Sequence, residues 1–246
     1  MRRGAILLAA VCTLVGLLSA RSTWAEPRQA YHGDAPQWLR AVGKLHVPGV
    51  TYRDGYSRHQ QENCSGTLVS SAGSDRADTV ITAWHCLEFY RDLSRPITFT
   101  LLLADGERIA REAHRLADGG GMYADWAVLR LQRAVDVADV PALIPHPARA
   151  DPARAVTMAG YSGDPGLGRH GEALTFHAGC RITRQQRGES ESDCSAYKGA
   201  SGGAVVQVSA TGEAYFSGVI SRGDGERVSL FVPVSGFRGP LNRFLN

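Results

Sequence analysis

The 246-residue sequence has no Cys-x-x-Cys pair, no internal repeat, no low-complexity tract and little extended helical periodicity. Without paired Cys-x-x-Cys ligands, a structural zinc site has little to stand on. The scarcity of helical periodicity argues against helical and α/β architectures. Its longest apolar run stops short of the 18 or more residues that a membrane-spanning helix needs. No histidine follows His177, an absence that matters once a nucleophile has been proposed. With 43% hydrophobic and 21% charged residues, the chain has the composition of an ordinary globular protein with enough apolar side chains for a core.

That apolar run lies at the amino terminus. Met1-Arg2-Arg3 precedes a stretch from Ala5 to Leu18, with small residues at Ser19-Ala20 and again at Ala25. This is the layout of a secretory signal peptide over residues 1–25, cleaved near Ala25 or at Ala20. Cys12 follows Val11 rather than a small residue, so it belongs to the signal and is not a lipidation site. Removal of residues 1–25 takes away Arg2, Arg3 and Arg21, and the formal charge of +3 falls to zero. A charge that small gives no reason to expect a nucleic-acid partner. Cys64, Cys86, Cys180 and Cys194 remain, and an even number of cysteines in an exported chain reads as disulfides. The expected location is therefore secreted or periplasmic.

The mature part reads as short β-rich runs separated by turn signals. Residues 26–38, with Pro27 and Pro36, form an amino-terminal arm or short pro-segment, and a first strand runs from Leu39 to Val47. A polar loop through Tyr52-Arg53-Asp54-Gly55 leads to a strand from Cys64 to Ser70, followed by a second strand from Thr79 to Trp84. His85-Cys86 end that second strand. A hairpin here would bring Cys64 to Cys86, and the bridge would hold the backbone of His85 in place. Asp125 stands just before the apolar run Trp126 to Leu131, an unusual position for a carboxylate that has no partners. Residues 132–150, with Pro141, Pro145 and Pro147, read as a linker. In the second half, Cys180 and Cys194 flank the acidic, serine-rich loop 187–193, which is expected to be a solvated surface rather than a cation site. Strands follow over Ala204–Ser209, Ala214–Ser221 and Val228–Val234, and the tail can form a short helix.

Lys198-Gly199-Ala200-Ser201-Gly202-Gly203 sets one serine among glycines before a buried strand. A serine hydroxyl needs a base to remove its proton. His85 can supply that base, Asp125 can hold its tautomer, and the N–H groups of Gly199 and Ser201 can face an oxyanion. The same residues also fit Gly-x-Ser-x-Gly, the nucleophile elbow of α/β-hydrolases, but that fold needs a histidine after the serine. None is present, so the elbow has no base.

The order His85, Asp125, Ser201 is that of chymotrypsin-like proteases. The segments Cys64-Ser65-Gly66-Thr67-Leu68-Val69, Ile81-Thr82-Ala83-Trp84-His85-Cys86, Asp125-Trp126-Ala127-Val128-Leu129-Arg130-Leu131, Gly199-Ala200-Ser201-Gly202-Gly203 and Ser217-Gly218-Val219-Ile220-Ser221-Arg222-Gly223 resemble that family's signatures over residues 39–245. The secreted bacterial members, such as the glutamyl endopeptidases, are the most similar in style. The resemblance implies an all-β fold of two antiparallel six-stranded barrels and a short C-terminal helix. The first barrel would cover residues 39–131, the second 151–235 and the helix 236–246. It also implies a serine endopeptidase acting on polypeptide as a monomer, without cofactor or metal and without stable membrane association. Substrate-binding residues would be Ser195, Ala196, Ser221, Gly223 and Ser229.

Two departures from the family stand out. Ala200 replaces the aspartate that binds a new amino terminus in animal digestive proteases. The oxyanion loop is therefore expected to rely on local packing and on Cys180–Cys194. Ser195-Ala196 at the pocket base and Ile220, where glutamyl endopeptidases carry a histidine, point to an uncharged side chain before the scissile bond. The alternative is an inactive homologue that serves as a secreted binding or adhesion protein.

Overall fold

The computed structural model describes residues 26–245, and the signal peptide expected over 1–25 lies outside them. In chain order the first strands are β1 (Gln29–Ala30), β2 (Val42–Arg53), β3 (Tyr56–Val69), β4 (Arg76–Thr82), β5 (Ile97–Leu102), β6 (Arg108–Asp118) and β7 (Ala127–Asp136). After β8 (Ile144–Pro145) come β9 (Val156–Gly160), β10 (Thr175–Cys180), β11 (Ile182–Gln185) and β12 (Ser190–Ser192). The chain ends with β13 (Ala204–Val208), β14 (Ala214–Gly223), β15 (Ser229–Pro233) and the helix α1 (Arg238–Asn242). The fold is all-β and chymotrypsin-like.

Strands β2–β7 form a closed antiparallel barrel in the order β2-β3-β4-β7-β6-β5. Alternation along β5 sends Ile97, Phe99 and Leu101 into the core, all fully buried. The Phe99 ring lies over Gly43 and Gly66, which face each other across β2 and β3. A Cβ on Gly43 would come within 2.4 Å of that ring, so only glycine leaves room for it. The segment read as a polar loop is instead a long hairpin. β2 and β3 stay paired out to Arg53 and Tyr56. Asp54 (φ 53°) and Gly55 (φ 78°) form its tip, and an Asp-Gly pair with two left-handed residues is the turn that suits a twisted hairpin. Polarity misled the reading, because both faces of this projecting ribbon meet water.

In the second half the hydrogen-bonded path runs β1-β10-β9-β13-β14-β15-β12-β11, and β8 lies parallel to β14. β10 and β11 are two halves of one bent strand, separated only by Arg181. Counted together, they give six principal strands. Only β2–β7 form a closed barrel; the second six-stranded barrel expected from the resemblance is a half-barrel sheet, because its path ends at β11, where the chain bends at Arg181. Arg181 and Asp193 brace that bend: Arg181 N–H donates to Asp193 Oδ1 (2.6 Å), and Asp193 N–H donates to the Arg181 carbonyl (3.1 Å). The Cys180–Cys194 disulfide lies beside them. The arm is not loose, since its β1 adds a strand to β10. Residues 132–150 are likewise more than a linker, because β7 extends to Asp136 and β8 joins the second sheet. In loop 187–193, Glu189, Glu191 and Asp193 pair with Arg222, Arg184 and Arg181.

Helix α1 returns to the first barrel. Phe237, just before it, stacks on Trp126 with ring centroids 5.1 Å apart. Leu241 is fully buried, and the Phe244 carbonyl accepts from Thr79 Oγ1 and Arg130 Nη2.

Candidate active site

Three loops converge between the two halves. His85 lies on the 3-10 turn Trp84–Leu87 that ends β4. Asp125 precedes β7, and Ser201 lies in the turn before β13. Cys64 and Cys86 are joined, with their Cα atoms 6.2 Å apart, so the turn carrying His85 is anchored to β3. Closing a loop of this size stabilises a fold by about 3 kcal/mol in the chain-entropy model. All four cysteines among the described residues are bridged. Their sulfurs are therefore not thiolates, and the two His/Cys groupings of the fold offer no metal a usable ligand set.

Asp125 is completely buried and accepts three hydrogen bonds. His85 N–H reaches Oδ1 at 2.9 Å, His85 Nδ1 reaches Oδ2 at 2.8 Å, and Ser221 Oγ donates to Oδ2 at 2.5 Å. Burial alone would raise its pKa, but the His85 contacts, followed by that of Ser221, hold it below the usual carboxylate value. With Nδ1 bound to the carboxylate, the other ring nitrogen, Nε2, is left as the acceptor when the imidazole is neutral. Ser201 lines the same cleft as His85, a cavity of about 320 Å³. In this conformation Ser201 Oγ donates to the Ser221 carbonyl at 3.4 Å, and no hydrogen bond joins it to His85 among the described residues.

The backbone around Ser201 is set by its neighbours. Gly199 has φ 94°, and a Cβ there would lie 2.6 Å from the Tyr161 carbonyl. Both demands require glycine. The Lys198 carbonyl accepts from Gly163 N–H at 2.6 Å, and the Ala200 carbonyl accepts from Gly203 N–H at 2.9 Å. In a trans peptide the N–H points opposite to the preceding C=O, so the Gly199 and Ser201 N–H groups point away from these partners. Neither donates to an acceptor among the described residues. Ser65, fully buried on β3, bridges the halves. Its hydroxyl donates to the Gly199 carbonyl and accepts from Tyr161 N–H, both at 2.8 Å, while its own N–H donates to the Ser201 carbonyl at 2.8 Å. The loop thus takes its polar contacts from Ser65 and Gly163, not from the Cys180–Cys194 disulfide alone.

The five residues assigned to substrate binding divide into two groups. Ser221 and Gly223 line the cleft together with Ala196. Ser195 and Ser229 are turned inward: Ser195 Oγ donates to the Glu226 carbonyl, and Ser229 Oγ donates to the Cys194 carbonyl at 2.7 Å. The two walls touch, since a Cβ on Gly223 would lie 2.6 Å from the Ala196 carbonyl. Met122 also lines the cleft. Sequence reasoning passed over it, although a methionine after three glycines and three residues before Asp125 was the available signal. Arg28 was missed as well. It is buried in the arm, gripped by its near neighbour Glu26 and by the distant Asp164.

Known structures share this architecture. A thermostable serine protease, AL20, from an extremophilic microorganism superposes with a TM-score of 0.61 at 20% identity, covering 85% of this chain and 98% of that one. A structure described as GrC gives a TM-score of 0.62 at 17% identity, covering 88% and 97%. The serine endoprotease from Yersinia pestis gives 0.55 at 18% identity, covering 84% and 63%. A search of curated protein sequences returned no similar chain. Residues 64–214 match the family described as the trypsin-like peptidase domain, and the protein belongs to that family.

Proposed function

We propose that the protein is an exported serine endopeptidase in which Ser201 is the nucleophile, His85 the general base and acid, and Asp125 the residue that orients His85. The observation that carries this reading is the buried Asp125, which holds His85 by two hydrogen bonds beside Ser201 and two undonated N–H groups. Ser201 Oγ turns from the Ser221 carbonyl to His85 Nε2, which takes its proton as the Oγ–C bond to the substrate carbonyl forms. The carbonyl oxygen becomes an oxyanion facing the N–H groups of Gly199 and Ser201. His85 then gives its proton to the departing amine as the C–N bond breaks. Water repeats the sequence on the acyl-enzyme and releases the acid.

The contact between Ala196 and Gly223 supports a small, uncharged side chain before the scissile bond. The two disulfides support an oxidising compartment and agree with removal of a signal peptide near Ala25. No helix among the described residues is long and apolar enough to cross a membrane. The working form is a monomer acting on polypeptide, with no cofactor or nucleic acid.

The second reading, an inactive binding protein, draws on one observation: Ser201 Oγ is bonded to Ser221 rather than to His85. A fluorophosphonate probe separates the two. Labelling of the folded protein that disappears in Ser201→Ala supports the peptidase, and no labelling of the folded wild type supports the binding protein.

A further inference from the structure

We infer that Arg28, in the amino-terminal arm, is a positioning residue that holds the oxyanion loop in its working shape, in the place of the ion pair that Ala200 cannot make. This rests on the peptidase reading above. Arg28 is an unusual residue to bury, with only 3% of its side chain exposed. Its guanidinium is held on one edge by Glu26, through Nε to Oε1 at 2.9 Å and Nη2 to Oε2 at 3.0 Å. Nη1 donates to Asp164 Oδ1 at 2.8 Å, and its face lies 3.8 Å from the centre of the Tyr197 ring. A buried charge satisfied on two edges and one face is a built arrangement, and removing such a partner strands the others.

The contacts of Arg28 lead to the oxyanion peptide by two routes. Asp164 organises the loop 162–171: its Oδ2 accepts Gly168 N–H and its carbonyl accepts His170 N–H. From the same loop, Gly163 N–H binds the Lys198 carbonyl. That bond turns the Lys198–Gly199 peptide so that the Gly199 N–H faces away from Gly163. By the second route, Tyr197 immediately precedes Lys198 and its carbonyl accepts Ala200 N–H at 3.0 Å. The ring also lies beside Gly225 of the turn after β14, so Arg28 binds two segments directly, and Tyr197 extends its reach to a third. Arg28 and Ala200 line the same small cavity behind the loop. Ala200 thus shares a cavity wall with the arm, while the guanidinium itself is held by Glu26, Asp164 and Tyr197. β1 keeps the arm in place through its pairing with Thr175 and Phe176.

The test compares wild type with Arg28→Ala, Arg28→Lys and Asp164→Asn in the whole mature protein. Three quantities are read: kcat and KM on a peptide amide, affinity for a peptide boronic acid that forms a tetrahedral adduct, and amide hydrogen exchange. A weakened oxyanion hole lowers kcat by between about 10- and 1,000-fold with KM little changed. Boronate affinity should fall in parallel, and Arg28→Lys should recover part of the loss, because lysine restores the charge but not the planar fork. Exchange should rise in residues 162–171 and 195–201 while β2–β7 keep their protection. Wild-type kcat together with unchanged exchange in Arg28→Ala overturns the inference, as does a loss of protection spread evenly over the chain. If Arg28→Ala does not fold, Asp164→Asn decides by the same readings. If wild type neither cleaves nor labels, the peptidase reading fails, and the exchange pattern still decides the role of Arg28.

Discussion

The hydroxyl of Ser221 donates to Asp125 Oδ2 across 2.5 Å, inside the space from which Asp125 is shut off from water. The next group on the same residue, its carbonyl, accepts from Ser201 Oγ. One residue expected only to bind substrate thus touches both Asp125 and Ser201.

Removing that hydroxyl has a definite signature. A hydrogen bond to a charged group contributes about 1.5–3 kcal/mol, so Ser221→Ala should lower kcat/KM by roughly 10- to 100-fold. The Asp125 carboxyl loses one of the contacts that keep its pKa low, so its pKa rises. Steady-state kinetics of both proteins on one peptide amide check this, and an unchanged kcat/KM would count against it.

Asp125→Asn should be the most damaging conservative change in the site. The amide leaves the geometry in place but presents the wrong hydrogen-bonding partner to Nδ1, and kcat should fall by about 10⁴. Thermal melts run in parallel would show whether the fold survives.

Stability should decline as pH drops below neutrality. Burial pushes the His177 imidazole below its usual value, against the opposing pull of Asp193 and Glu26. Its Nδ1 accepts Ser195 N–H at 2.9 Å, a bond that protonation there would break. Because the folded pKa is the lower one, the unfolded chain takes up the proton first. The contribution is complete above about pH 6.5 and is lost below it. His146, lowered mainly by burial, adds to the same trend. The midpoint of thermal unfolding should fall between pH 7.5 and pH 5.5, and His177→Gln should flatten the slope.

Phe237→Ala should cost about 3–5 kcal/mol in urea unfolding, as expected for a buried aromatic. The ring stacks on Trp126, next in sequence to Asp125, so tryptophan emission should change in the same variant. A loss within error of zero would show that the tail is not part of the cooperative unit.

A library of peptides varied before the scissile bond should show cleavage concentrated at small uncharged residues. Gly223→Ala should reduce cleavage further, because the new Cβ would press on the Ala196 carbonyl. Efficient cleavage after arginine or glutamate would refute the shape assigned to this slot.

The parts of the site carried by local patterns were legible in the sequence. His85, Asp125 and Ser201 each sit at a strand end marked by cysteine, apolar alternation or glycine, and their order excluded the rival elbow. What escaped was held by distance. Arg28 is 136 residues from Asp164, and no local pattern predicts that pairing. The division of β10 from β11 at Arg181 depends on a bend that no local pattern marks. The β2–β3 ribbon failed for another reason. From Thr51 to Asn63 no residue is buried, so alternation is lost while the backbone pairing persists.

Ser65 gives the two halves of the molecule a shared obligation. Its backbone and hydroxyl reach Ser201, Gly199 and Tyr161 across the junction, so neither half holds a finished site. Two fragments divided between β7 and β8 could each form their sheets and still be inert until reassociated. Turnover would then report how accurately the halves are seated on each other, at a resolution finer than any measure of secondary structure.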